Sequence, residues 1–400
     1  MNHPSPSTEP SSAPAGPPTG IAVLGATGSI GVSALQVVRH LGGQVQVQGL
    51  SAHSRLKELV ELAREFRPAW IAATDRQRAG RFRWPSLPGT ELLVGHRELE
   101  TALGGSTPLD TVLAAMVGIA GLQSTLAALA AGKNVALANK ETLVAAGPLV
   151  MDLAGRSGST VLPIDSEHNA IFQCLQAGRR EEVSRIVLTA SGGPFREFTR
   201  EQMNGVTPAQ ALAHPNWEMG PKISVDSATM MNKALEIIEA RWLFDLRPDQ
   251  IEVVVHPQSV VHSMVEYADG SVLAQMSPPD MRLPIQHALT WPRRMPAAAP
   301  RMDFARSHRL DFDPPDVARF PAIGLGLQVA RQGGTAGAVL NAANEVAVAA
   351  FLDKRIEFND IVRAVRDVLA QHPFKQQPTI EQVIAIDAWA REETTRWISG

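Results

Sequence analysis

The sequence predicts an α/β fold in three parts: an N-terminal Rossmann-like domain on a parallel sheet, a central α+β domain and a C-terminal helical bundle. Three observations carry that reading. Short apolar strands alternate with helical patterns from Ile21 to Leu162, the order that a parallel sheet covered on both faces requires. In the middle, a long helical pattern is followed by two strands meeting at "ADG", as in an antiparallel hairpin. Near the end, apolar-periodic stretches begin at about Phe320, Ala336, Phe358 and Thr379, separated by Gly333 and Gly334 and by Pro373 and Pro378.

Residues 1–20 are rich in Pro, Ser, Ala and Gly and hold no large apolar side chain beyond Met1, so they read as a disordered tail. Residues 21–164 make the first domain. It opens with the strand, glycine turn and helix of "IAVLGATGSIGVSALQVVRHLGG" and continues through the strands "QVQVQGLSA", "WIAAT", "TELLVG", "TVLAAMVG" and "NVALAN". Residues 165–290 form the central unit: a helix from Glu167 to Ala177, the strand "RIVLTA", a loop rich in Pro, His and Trp, the long helix, and the hairpin "VVHSMVEY" and "SVLAQMS". Residues 291–316, with "WPRRMPAAAPRMDF", read as a linker, and 317–400 as the bundle.

The totals narrow the partners. With 37 basic and 40 acidic residues, a net charge of -3 and no long run of either sign, nothing favours nucleic acid or an anionic membrane, so a small molecule is the expected partner. No apolar run approaches the ~20 residues of a membrane span, and the tail lacks the basic start and apolar centre of a secretory signal. A single cysteine, Cys174, excludes an internal disulfide framework and fits a reducing compartment, so the expected location is cytoplasmic. Cys174 sits among Ile171, Phe172 and Leu175 and reads as core.

Chemistry concentrates in a few strings. "GATGSIG" follows a buried strand and opens a helix, where backbone amides and a helix N-terminus receive a pyrophosphate; its Gly25, Gly28, Gly31 spacing also suits a plain tight turn. The second strand ends in "LSAHSR", with no acid for ribose hydroxyls, so His53, Ser54 and Arg55 favour a 2′-phosphate and hence NADPH, the alternative being a simple helix cap. "ANKE" sets Asn139, Lys140 and Glu141 at the carboxyl edge of the same sheet, either toward a ligand or as a solvated pair.

"LPIDSEHNA" places Asp165 and Glu167 one residue apart; on an extended segment both would project to one side, with roughly 7 Å between their stems. Such a pair suits a cation or a solvated strand end. In "ATMMNKALEIIEARWLF" the apolar face of Met230, Met231, Ala234, Leu235, Ile238 and Trp242 opposes a stripe of Asn232, Lys233, Glu236 and Glu239. Such a stripe is ordinarily wet, yet Asn232 and Lys233 offer donors to an anion and Glu236 offers a third carboxylate, an oxygen set for Mg²⁺ or Mn²⁺. "TASGGPF" lets backbone amides approach an anion beside Ser191, and "AHPNWEMGPK", with His214, Trp217 and Met219, is irregular enough for a lid.

In that order and at those separations, "GATGSIG", "ANKE", "PIDSEHNAIFQ", "SGGPFRE", "HPNWEMG" and "KISVDSATMMNKALEIIEA" resemble the 1-deoxy-D-xylulose 5-phosphate reductoisomerase family, from about Ile21 to the end. The resemblance implies an NADPH domain, a catalytic domain that also forms a homodimer, and a helical C-terminal domain. It implies Asp165, Glu167 and Glu236 as ligands of one Mg²⁺, Mn²⁺ or Co²⁺ ion, and Lys140 and Ser166 as contacts to the hydroxyl and carbonyl end of a sugar phosphate. Ser191, His214, Ser227, Asn232 and Lys233 would hold the phosphate under a lid containing Trp217 and Met219. Thr27, Gly28, Ser29, Ile30, Asn139, Glu141 and Gly220 would meet the cofactor, with Ala52, His53, Ser54 and Arg55 in place of the glycine, Lys or Arg, and Asn often seen at its 2′-phosphate. The implied reaction is NADPH-dependent rearrangement and reduction of 1-deoxyxylulose 5-phosphate to 2-C-methyl-D-erythritol 4-phosphate, in the non-mevalonate route to isoprenoid precursors.

Overall fold

The computed structural model describes residues 18–217 and 219–400; the tail predicted for 1–20 lies outside the described residues as far as 17. A seven-stranded parallel sheet organises the N-terminal half. Its strands are β1 (Thr19–Leu24), β2 (Val45–Ala52), β3 (Trp70–Ala73), β4 (Glu91–Val94), β5 (Thr111–Ala114), β6 (Asn134–Leu137) and β7 (Val161–Pro163), in the order β4-β3-β2-β1-β5-β6-β7. The chain reverses its winding between β1 and β5, and ligands of open α/β sheets bind beyond the carboxyl ends of strands at such a point. Ile21, Val23, Leu50, Ile71 and Leu113 are fully buried, so these strands face core on both sides and read as continuous apolar runs.

The central unit holds a second sheet of β8 (Val183–Ala190), β9 (Ile251–Val255), β10 (Val261–Tyr267) and β11 (Val272–Met276), ordered β11-β10-β8-β9. β10 and β11 form the expected antiparallel hairpin, while β9, running parallel to β8, was hidden between helix and loop patterns. Helix Arg282–Thr290 returns to the first sheet, where Ile285, Ala288 and Leu289 share a core with Ala34 and Leu35 of helix Ser29–Leu41. Helices Ala322–Gln332, Ala336–Leu352, Phe358–Gln371 and Ile380–Ser399 close the chain.

Two local expectations are corrected. Asp165 and Glu167 do not share an extended segment: β7 stops at Pro163, Asp165 caps helix Ser166–Cys174, and Glu167 lies in its first turn. The long helix read from Ala228 starts only at Met231 and runs to Leu243, because Met230 adopts the left-handed conformation (φ 61), and a separate helix, Pro221–Ala228, precedes it. Nor is the polar stripe of the second helix wet. Lys233, Glu236 and Glu239 are all buried, since the helix packs against both helix Ala322–Gln332 and helix Glu141–Ser157.

Candidate active site

A cavity of about 530 Å³ opens where the carboxyl ends of the parallel strands meet the central unit. One wall is the glycine turn. Gly25 takes a positive φ of 82, and a Cβ on Gly31 would lie 2.4 Å from the Gly25 carbonyl oxygen, so the strand turns into helix Ser29–Leu41 only with glycine at both places. Gly28, Ser29 and Ile30 line the cavity at that helix N-terminus, with Thr27 buried behind them. Ala52 ends β2, and His53, Ser54 and Arg55 are exposed just past it, outside the cavity wall; His53 Nδ1 lies 3.1 Å from Thr74 Oγ1. The Asn139 side chain is engaged within the protein: its Nδ2 donates to the carbonyls of Met116 and Gly118, which pins the loop beyond β5.

Beside this wall stand three carboxylates. Asp165, Glu167 and Glu236 each present an oxygen, all within 4.8 Å of one another. Asp165 and Glu167 converge because a helix cap and first turn curl them inward, and Glu236 reaches them from helix Met231–Leu243. Lys140 pairs with Asp165 and lies 3.3 Å from Glu236; Lys233 lies 3.0 Å from Glu167, pairs with Glu236, and donates to the Thr189 carbonyl at 2.5 Å. Burial and the Glu167 charge push Glu236 up to about 8. Burial would also raise Glu167, but the ammonium groups of Lys233 and Lys140 outweigh it and hold that carboxyl far below the usual range. Burial likewise works against the Lys140 charge, yet Asp165 and Glu236 win and keep it protonated. An all-oxygen set gathered by two side-chain cations has the donor chemistry that fits a hard dication such as Mg²⁺ or Mn²⁺.

The structure brings two more residues to this place. Glu239, fully buried, has no hydrogen-bond partner on either oxygen among the described residues, and burial pushes it up to about 7. His168 Nε2 sits 3.6 Å from it and 3.0 Å from the Glu236 carbonyl, so Asp165, His168 and Glu239 form an adjoining group. The i, i+3 spacing from Glu236 was the available signal for Glu239; nothing local marks His168.

At the far end of the cavity, Gly192 and Gly193 both take positive φ, and a Cβ on Gly193 would lie 2.8 Å from the Ser227 carbonyl oxygen. This turn presents Ser191, whose Oγ accepts from the Gly193 amide at 3.2 Å and lies 2.9 Å from His214 Nε2. His214 Nδ1 accepts the amides of Asn216 and Trp217, so its proton is on Nε2 and points to Ser191. Burial lowers the pKa of His214 and keeps the ring neutral. The break at Met230 turns Ser227, near the end of one helix, and Asn232 and Lys233, at the start of the next, onto the same cavity. Trp217, Met219 and Gly220 complete the wall on the loop side, and Ser166 completes it between the two acids.

Known proteins resemble this chain along nearly its whole length. Family models described as 1-deoxy-D-xylulose 5-phosphate reductoisomerase, the C-terminal domain of that enzyme, and DXP reductoisomerase C-terminal domain match residues 21–147, 161–244 and 276–393. The reductoisomerase of Heliobacterium modesticaldum is 52% identical over 379 residues, covering 94% of this chain and 96% of its own. That of Pseudomonas aeruginosa strain UCBPP-PA14 is 51% identical over 391 residues, covering 96% and 98%. Among solved structures, the Zymomonas mobilis reductoisomerase in complex with NADPH superposes with a TM-score of 0.88 at 45% identity, covering 95% of this chain and 99% of its own. A reductoisomerase in complex with NADPH, fosmidomycin and magnesium gives 0.88 at 42% identity, covering 95% and 98%. Matches that run nearly end to end in both sequence and structure establish that the chain belongs to the 1-deoxy-D-xylulose 5-phosphate reductoisomerase family.

Proposed function

We propose that the cavity carries out the reaction of this family with the residues assembled above. The chain is an NADPH- and divalent-metal-dependent reductoisomerase that converts 1-deoxy-D-xylulose 5-phosphate to 2-C-methyl-D-erythritol 4-phosphate, in the non-mevalonate route to isoprenoid precursors. The observation that carries the assignment of the site is the meeting of three carboxylates: Asp165 and Glu167 line the cavity that the glycine turn also lines, and Glu236 is buried within 4.8 Å of both.

Asp165, Glu167 and Glu236 would hold the dication, and Gly28, Ser29 and Ile30, with Thr27, Glu141 and Gly220, the cofactor. When bound, the metal supplies charge stabilisation at neighbouring C–O oxygens and NADPH supplies the hydride. Lys140 and Ser166 orient the hydroxyl and carbonyl end of the sugar. Ser191, His214, Ser227, Asn232 and Lys233 grip the phosphate far from the reacting carbons, which fixes the orientation of the rest. Trp217 and Met219 exclude water from the aldehyde formed before reduction. His53, Ser54 and Arg55 stand beyond the β2 end, where the adenosine 2′-phosphate falls.

The assembly is a homodimer through β11. This edge strand of the central sheet leaves Val272 50% and Leu273 38% exposed, and unpaired backbone with apolar side chains is suited to a second copy. No helix among the described residues is long and apolar enough to cross a membrane, and the single cysteine fits a cytoplasmic location.

The test is oxidation of NADPH in the presence of 1-deoxyxylulose 5-phosphate and Mn²⁺ or Mg²⁺. The expected result is turnover that a chelator abolishes and added metal restores. NADPH oxidation that ignores both metal and sugar phosphate would overturn the reading.

A further inference from the structure

Behind the lid a string of buried polar groups leads out of the cavity into the C-terminal bundle. Lys222, in the first turn of helix Pro221–Ala228, lies 3.0 Å from Glu141 Oε1 and 2.7 Å from Asp226. Asp226, wholly buried, accepts a 2.7 Å hydrogen bond from Asn344 Nδ2 of helix Ala336–Leu352. Asn344 is wholly buried too and has no place on the cavity wall. The string therefore ties three parts of the fold to the residue where the lid ends, because Gly220 caps the helix that carries Lys222 and Asp226.

The position of Lys222 is a compromise between two acids. Burial works against its charge, but Asp226 and Glu141 outweigh that and raise its pKa, so one ammonium is shared by both. Glu141 is the weaker claimant by distance, 3.0 Å against 2.7 Å. Asp226 meets part of its need from Asn344. Without that amide a buried carboxylate would be left short of a donor, and Lys222 is the only cation paired with it among the described residues. The ammonium would then be drawn toward Asp226 and away from Glu141, whose carboxylate, itself buried, depends on Lys222 for its charge.

We propose that Asn344 is a positioning residue for the cofactor: through Asp226 and Lys222 it fixes the Glu141 carboxylate and the downstream end of the lid in the geometry that receives NADPH. This rests on the functional reading above, in which Glu141 and Gly220 meet the cofactor. It gives the C-terminal bundle, which contributes nothing to the cavity wall, a part in cofactor affinity.

The experiment titrates the full chain with NADPH by the nucleotide's own fluorescence, in metal-free buffer without sugar phosphate. Asn344→Leu, of similar size but without the amide, is expected to weaken NADPH binding about tenfold, the loss of one hydrogen bond to a charged group. Thr394→Val, which removes a hydroxyl buried elsewhere in the bundle, is expected to leave the affinity unchanged. Lys222→Met should weaken binding at least as much as Asn344→Leu, and the double variant no more than Lys222→Met alone, since both act on one string. Lys222→Arg, which keeps the charge, should recover most of the affinity. Unaltered NADPH affinity in Asn344→Leu, or additive effects in the double variant, would overturn the proposal. A starting chain that takes up no NADPH would overturn both this inference and the functional reading, and the unaltered protein measured alongside tells that case apart.

Discussion

At the end of the cavity that we assign to the cofactor the wall is the glycine turn with Gly28, Ser29 and Ile30, and the side chains of His53 and Arg55 stand exposed at the surface. At the metal end it is almost all side-chain charge, with Glu236 and Lys233 buried among Asp165, Glu167 and Lys140. A backbone site tolerates many side chains provided the chain can make the turn. A buried cluster of charges tolerates none of its members being lost, because each remaining charge was compensated by the one removed. Substitutions at the two ends should therefore fail differently, one through shape and the other through electrostatics.

The largest effect is expected at Glu236. Glu236→Gln keeps the shape but replaces a carboxyl that a bound dication would hold ionised against the cost of burial with an amide that cannot ionise. Loss of residues that merely support metal ligands costs about 10–100-fold, so loss of a ligand should cost at least about a hundredfold in metal-dependent turnover. NADPH affinity, measured without metal, should stay within about twofold. Turnover retained in Glu236→Gln would break the contrast at its strongest point. At the other end the test is a pair of glycines. In Gly31→Ala the new Cβ would stand 2.4 Å from the Gly25 carbonyl and 2.6 Å from the Ala26 Cα, backbone that cannot step aside, whereas in Gly28→Ala the nearest atom is 3.2 Å away. Overpacking of the first kind costs about 1–3 kcal/mol, so Gly31→Ala should lower the melting temperature and weaken NADPH binding, with Gly28→Ala clearly milder in the melt. Equal melts for the two would show that the turn is not shape-limited.

The same contrast explains what could be read in the sequence. The cofactor end is local: strand, glycine turn and helix N-terminus are contiguous, so "GATGSIG" carries the geometry within seven residues. The metal end is not. Asp165 and Glu236 are far apart along the chain, and what joins them is a helix cap, a left-handed Met230 and the burial of a stripe that looked solvated. Periodicity reports which face of a helix is apolar; it is silent on whether the polar face meets water or other charges. Glu239, one turn beyond Glu236, was visible as part of that stripe, but only the packing shows it buried beside His168. β9 escaped for a different reason: "IEVVV" is short and follows a turn, and its partner β8 lies more than sixty residues earlier.

The smallest effect is expected at Cys174, which tests whether the chemistry needs a thiol at all. The side chain is 7% exposed, at the end of helix Ser166–Cys174, and shares the core that contains Ile171, Ile186 and Val265. Burial pushes its pKa up to about 11. A thiol with that pKa is ionised to roughly one part in a thousand at pH 8, too little for a nucleophile, and the fraction grows about tenfold for each pH unit toward 11. Cys174→Ala should accordingly keep turnover within about twofold and cost about 1 kcal/mol of stability, the price of a small cavity. In the unaltered chain, iodoacetamide at pH 7.5 should add no mass until denaturant is present. Loss of turnover in a variant with an unchanged melt would point to thiol chemistry, and the three carboxylates would then have to be read as structural rather than catalytic.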